Sequence, residues 1–222
     1  MYSKIKQEEV FVDSDKNGVI HTDWRTDKLK NLDLTGSYNR LDDKKRAHKC
    51  CDCGTYLEFD FDPITGVRKL RKANFCKLRL CPMCIKRRQK KIYGQMSQIM
   101  NVLEKDYAFV FLTLTQKNVT GEELPEEISD LMNGWKKLMN RKPFKQAVKG
   151  WFRALEITHN LEENSLSYDT YHPHYHVVLV VNKSYFTDKT YIKHEAWCKM
   201  WQECLGLDYL PNVDVRRFKT ST

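Results

Sequence analysis

The chain has 222 residues, 41% of them hydrophobic, and a formal net charge of +9. It holds no run of about 18 apolar residues that would read as a membrane span, and the segment Met1 to Glu9 lacks an apolar signal-peptide core. A cytoplasmic protein with no membrane partner is therefore expected, and in that reducing compartment its eight cysteines argue for metal ligands or free thiols over disulfides.

Residues 1–45 are polar and carry no sustained periodicity, so they read as a flexible arm with short local elements at most. Residues 46–104 are different in kind. Between Lys44 and Ile92 there are 15 Lys and Arg against 4 Asp and Glu, a net of +11, which leaves −2 for the remainder. A positive field concentrated in this way suits a polyanion such as nucleic acid. Within it, Tyr56 to Phe59 and Val67 to Leu70 bracket the turn-forming Asp62-Pro63-Ile64-Thr65-Gly66, which predicts a hairpin.

A helix is expected directly after Cys84, with Ile85, Ile92, Met96, Ile99 and Leu103 on one face. Lys86, Arg87, Arg88, Lys90 and Lys91 crowd its first turns, where positive charge opposes the helix dipole. Charges placed there at some cost, together with Arg79, are candidate DNA contacts.

Residues 105–222 begin with a β-branched and aromatic strand, Tyr107 to Thr115. A helix from about Pro125 follows, with Ile128, Leu131, Met132, Trp135 and Leu138 on its apolar face. Trp151 to Thr158 and His174 to Val181 read as two more strands. Thr187 or Asp188 is expected to cap a helix that carries Ile192, Trp197, Met200, Trp201 and Leu205 and stops at Gly206. Tyr191 would be an apolar core position of that helix. Val213 to Phe218 closes the series. The order strand–helix–strand–strand–helix–strand predicts an α+β fold with an antiparallel sheet.

Two constellations carry chemistry. Six cysteines fall within 35 positions: Cys50, Cys51, Cys53, Cys76, Cys81 and Cys84. Zinc takes four soft ligands in a tetrahedron, and two short-spaced groups on separate turns supply them. Cys81 and Cys84 form one half; Cys50 with Cys53, or Cys53 with Cys76, completes the set equally well. In His172-Pro173-His174-Tyr175-His176, alternation along a strand points His174 and His176 the same way, so both can grip one divalent metal. Glu156, a carboxylate in an otherwise apolar neighbouring strand, is the candidate third ligand; a salt bridge is the competing explanation for it. His172 and His159 are weaker candidates. Two His and a carboxylate accept Mg or Mn and suit polarising a phosphodiester.

Phe111-Leu112-Thr113-Leu114-Thr115, then Gly150 to Thr158, then His172 to Val181, closely resemble the rolling-circle plasmid replication initiators of Gram-positive bacteria. These are the Rep proteins of the His-hydrophobic-His (HUH) endonuclease superfamily. Phe75 to Cys84 is similar to the cysteine-rich segment ahead of their nuclease domain, and the resemblance runs from about residue 46 to the last residue. It implies zinc at Cys53, Cys76, Cys81 and Cys84, and a catalytic Mg or Mn at His174, His176 and Glu156. The partners it implies are plasmid-origin DNA, single-stranded or hairpin, with host helicase and polymerase.

In that family a tyrosine on a following helix attacks the scissile phosphate. Its motif is expected after the strand ending near Phe218, whereas the sequence stops at Thr222. Tyr185, Tyr191 and Tyr209 match non-catalytic parts of the family, so no residue is assigned as the nucleophile. An HUH domain lacking its last elements is expected, one that binds metal and origin DNA without forming a covalent adduct. Two competing expectations are a non-catalytic zinc-ribbon DNA-binding or regulatory form, and a related transposase or relaxase.

Overall fold

The computed structural model describes residues 12–14, 20–66 and 68–218. Part of the expected arm, Val67 of the expected hairpin and residues 219–222 lie outside them. The chain divides into two compact units, residues 1–98 and 99–222. Among the described residues, no helix is long and apolar enough to cross a membrane.

The first unit holds the short pair β1 (Val12–Ser14) and β2 (Ile20–Asp23), helices α1 (Trp24–Arg40) and α2 (Lys44–Cys51), and the hairpin β3 (Leu57–Phe61) and β4 (Arg68–Ala73). In the described part of residues 1–45, α1 and the first residues of α2 stand where a flexible arm was expected. Asp23 starts α1: its Oδ1 accepts the Thr26 N–H at 2.9 Å and its Oδ2 the Thr26 hydroxyl. These bonds hold the Asp23 carboxyl below its ordinary pKa. Asp43 caps α2 the same way, accepting from Arg46 N. The buried residues of α1 are Asp27, Asn31 and Tyr38, so there is no apolar stripe for a periodicity search to find.

α3 (Pro82–Leu103) begins before Cys84, with proline in its first turn, where a missing N–H does no harm. Its expected apolar face is only partly covered. Ile85, Ile92, Met96 and Leu103 are half-buried, and Ile99 is exposed.

The second unit is a four-stranded antiparallel sheet in the order β6-β7-β5-β8, from β5 (Tyr107–Leu114), β6 (Val148–His159), β7 (Tyr171–Asn182) and β8 (Val213–Arg217). α4 (Leu124–Asn140), α5 (Lys142–Ala147) and α6 (His194–Leu205) supply the helices of its core. Val110, Leu112 and Leu114 of β5 and Tyr175, Val177, Leu179 and Val181 of β7 meet Leu131, Trp135, Leu138, Phe144, Trp197 and Trp201 there. The α+β antiparallel architecture and the strand–helix–strand–strand–helix–strand order are as expected, with the short α5 added. Gly134 lets α4 approach α6 closely: a Cβ there would lie 2.5 Å from Leu205 Cδ2 and 3.3 Å from the Trp201 ring.

Two local expectations change. Met132 of α4 is exposed, while Leu131, Trp135 and Leu138 are buried and Ile128 half-buried. α6 begins at His194, not near Thr187, because residues 187–193 are used for turns. Thr187 N–H bonds Ser184 O at the end of a short 3-10 turn (Lys183–Phe186), and Asp188 Oδ1 accepts Thr190 N–H. Ile192 N–H then donates to the buried Tyr185 hydroxyl. Tyr191 therefore lies outside the helix and is 44% exposed, a surface residue and not core. Gly206 ends α6 in the left-handed region at φ 74°, as its position suggested.

Candidate metal centres and basic surface

Cys53 follows α2, Cys76 follows β4, Cys81 precedes α3 and Cys84 lies in its first turn. Their four sulfurs lie within 4.8 Å of one another. The Sγ–Sγ separations are 3.7 Å for Cys53–Cys84, 3.6 Å for Cys76–Cys84 and 3.6 Å for Cys53–Cys81. A tetrahedron with metal–sulfur bonds of about 2.3 Å has edges of about 3.8 Å, so the donor set fits one ion of that kind.

Backbone amides point into the cluster: Cys76 N–H to Cys53 Sγ at 3.4 Å and Lys77 N–H to Cys84 Sγ at 3.2 Å. Lys77 takes a left-handed φ of 61° to aim its amide. Burial pushes the Cys84 thiol up to about 12, and the shared hydrogen bond with Cys81, then burial, raises that of Cys53. Thiols packed this closely ionise together only against a compensating cation.

Cys50 is outside the cluster. Its thiol donates to Asn31 Oδ1 at 2.7 Å, and Asn31 Nδ2 donates back to Cys50 O at 2.5 Å. Of the two ligand sets left open by spacing, the structure assembles the one with Cys76.

The second centre sits on the sheet. Cross-strand pairing puts Glu156 opposite His174, and Ala154 and Thr113 on either side of His176. His176 Nε2 lies 2.9 Å from Glu156 Oε2 and 3.2 Å from His174 Nε2, with His174 Nε2 3.8 Å from the same carboxylate oxygen. Two nitrogens sharing a metal at about 2.1 Å stand roughly 3.0–3.4 Å apart, which this spacing meets. His174 Nδ1 bonds the His172 carbonyl at 3.0 Å, and His176 Nδ1 faces Thr113 Oγ1 at 3.4 Å. With both Nδ1 atoms engaged, the Nε2 lone pairs are left for a metal. Phe111 stacks on the His176 ring at 5.5 Å.

The strand burial differs from expectation. Residues 154–159 of β6 are exposed and the Glu156 side chain is 52% accessible, so no desolvation penalty compels it to find a partner. Register, not burial, makes it a ligand candidate. His172 stacks on His174 at 5.1 Å, its pKa lowered by burial first and by His174 second, but it is not in the three-residue group. His159 is apart too, paired with Asp169 at 2.7 Å and stacked on Tyr171. Thr113 went unnoticed in the sequence; only the β5–β7 register reveals it.

Arg79, Arg87, Arg88, Lys90 and Lys91 are exposed. Lys86 differs, because its ammonium is 2.5 Å from the largely buried Asp27 carboxylate and balances a charge inside the unit. The Arg87 guanidinium lies 3.9 Å above the Phe75 ring. Tyr185 is buried, and the Tyr209 hydroxyl accepts the Lys117 N–H at 2.9 Å.

Comparison with known proteins adds to this. A family model described as "Replication protein" matches residues 67–222. A "Protein rep" of Bacillus amyloliquefaciens is 42% identical over 228 residues, covering 99% of this chain and 65% of the relative. Another from a Bacillus species is 49% identical, covering 79% of this chain and 56% of its own length. A third, from Staphylococcus aureus, is 40% identical over 76% of this chain and 72% of the relative. The chain spans less than two thirds of the first two relatives' length. No solved structure gives a significant match.

Proposed function

The chain belongs to the replication-protein family, and from that premise we propose that it acts in rolling-circle plasmid replication, binding origin DNA and placing a scissile phosphate at Glu156, His174 and His176. The observation that carries this reading is the convergence of those three ligand atoms within 4.8 Å. The donor set of two imidazoles and a carboxylate suits Mg or Mn, and the four thiolates suit zinc.

A divalent ion there would draw charge from the phosphate's non-bridging oxygens. The chain's own part is to hold the ligands ready. His172 O and Thr113 fix the imidazole orientations, and Phe111 braces the His176 ring. The basic first unit supplies attraction for the backbone of the DNA. In the rolling-circle initiators that the chain resembles, a tyrosine oxygen bonds to phosphorus as the bond to the 3′-oxygen breaks. This leaves a 5′-phosphotyrosine and a 3′-OH that carries the displaced proton and primes host polymerase behind a helicase. No tyrosine of this chain is assigned that role.

Manganese titration of zinc-loaded protein tests the reading. One further site is expected, lost in His174→Ala, with nanomolar-to-micromolar differences between origin DNA and unrelated DNA measured in parallel. Zinc as the sole bound metal, with no Mn site for His174→Ala to remove, would instead leave a zinc-ribbon DNA-binding or regulatory protein.

A further inference from the structure

The hairpin β3–β4 of the first unit presents two unlike faces. Its register pairs Leu57 with Ala73, Glu58 with Lys72, Phe59 with Leu70, Asp60 with Lys69 and Phe61 with Arg68, with a bulge after Glu58. On one face the pairs Leu57–Ala73 and Phe59–Leu70 are apolar and Phe61 continues them opposite Arg68, while the pairs Glu58–Lys72 and Asp60–Lys69 on the other face are charged. The bulge leaves Arg71 unopposed, and its guanidinium reaches back to Glu58 Oε1 at 3.3 Å and Asp60 Oδ1 at 3.9 Å. The carboxylates are thus gathered and neutralised away from the aromatic face.

On that aromatic face Phe59 is 47% and Phe61 59% exposed, and Ile64 at the tip is 94% exposed. Exposed apolar surface gathered in this way on a two-stranded ribbon marks an interaction surface. The ribbon is also firmly set. Asn74 clamps its base, with Oδ1 accepting Tyr56 N–H and Nδ2 donating to Asp52 O and Thr55 Oγ1. Asp62 closes the tip by accepting from Ile64 N and Thr65 Oγ1, with Gly66 in the left-handed region at φ 70°.

Charge decides between occupants. The hairpin lies inside the Lys44–Ile92 stretch of net +11, and Lys69 and Lys72 are exposed along it. An apolar peptide gains nothing from that field, whereas a nucleic-acid strand brings both phosphates and flat π-faces. Side chains two apart on a strand are about 6.6–6.8 Å from each other, room for each ring to take its own unpaired base. Exposed strand aromatics flanked by cations are how single strands are held without base-edge readout.

We infer that the β3–β4 hairpin is a stacking platform for unpaired bases of single-stranded DNA, with Phe59 and Phe61 as the stacking rings. The inference rests on the DNA-binding reading above and adds a site to it, separate from the basic residues of α3.

The test uses the zinc-loaded 222-residue chain and a fluorescent oligothymidylate of about 20 nucleotides, with a mixed-sequence duplex of equal length alongside. Phe59→Ala with Phe61→Ala should weaken oligothymidylate binding by about 100-fold, near tenfold for each ring, and duplex binding far less. Phe59→Trp with Phe61→Trp should restore affinity, and the new indole emission should be quenched on saturation. The quench also serves if the alanine variant fails to hold zinc.

Unchanged oligothymidylate affinity in a zinc-replete alanine variant overturns the platform. So does absence of quenching in the tryptophan variant, or a DNA-free dimer that dissociates on Phe59→Ala with Phe61→Ala. If wild-type protein binds duplex but not oligothymidylate, the platform falls and the DNA-binding reading stands. If it binds neither, both fall.

Discussion

Removing the metal from the Cys53, Cys76, Cys81 and Cys84 cluster should unfold the first unit and leave the second folded. The reason lies in what each core contains. The buried apolar cluster of the first unit is Tyr38, Ala47, Cys50, Cys53, Cys81, Met83 and Cys84, so three of its seven members are candidate ligands. Of the fully buried members, Tyr38 and Met83 are the large side chains independent of the metal, worth roughly 1.5–3 kcal/mol each, with Trp24, Leu34, Phe75 and Leu78 packed half-buried against the cluster. A four-thiolate zinc site contributes about 10–16 kcal/mol of folding free energy, more than the roughly 5–15 kcal/mol by which most domains are stable. Taking it away exceeds what remains.

The second unit instead buries Trp135, Trp197, Trp201, Tyr175 and a full aliphatic set with no metal among them. Hydrogen exchange read by mass spectrometry, before and after stripping with a zinc chelator, reports on each unit separately. Peptides from Trp24–Arg40 and Pro82–Tyr93 should lose protection, while those from Tyr107–Leu114 and Tyr171–Asn182 keep theirs. Cys81→Ser should mimic the chelator. Retained protection in Trp24–Arg40 on metal-free protein would refute the reasoning, since it would mean the side chains alone hold this unit.

Four other outcomes follow from single contacts. Thr113→Val keeps the shape but removes the oxygen facing His176 Nδ1, and should weaken Mn binding by roughly 10–100-fold in calorimetry with the melting temperature nearly unchanged. Cys50→Ala should retain a full complement of zinc whereas Cys76→Ala loses it. Asn31→Ala, which strands the buried Cys50 thiol and carbonyl, should destabilise the first unit by about 2–4 kcal/mol in denaturant titration. Gly134→Ala gains roughly 1 kcal/mol of helix propensity but drives a Cβ to 2.5 Å from Leu205 Cδ2, so overpacking should win by about 1 kcal/mol. A rise in melting temperature would show that Leu205 swings aside freely.

Much of the second unit is legible from local pattern, because period-two and period-3.6 repeats in Tyr107–Leu114, Leu124–Asn140 and Tyr171–Asn182 reflect a core that one face of each element must reach. The paired His174 and His176, and the Cys81-x-x-Cys84 half-site, are equally local: their geometry follows from strand alternation and a single helical turn. What the first 45 residues do is not written that way. α1 buries Asp27 and Asn31, whose partners Lys86 and Cys50 lie 59 and 19 residues away, so its helical face reads as polar until the chain has folded. The same holds for the choice of Cys76 over Cys50, for Glu156 as the neighbour of His174, and for Thr113 behind His176. Spacing specifies which groups can share a face or a turn. Which distant groups meet is decided by β-register and by the partners of buried polar atoms, and these exist only once the tertiary structure has formed.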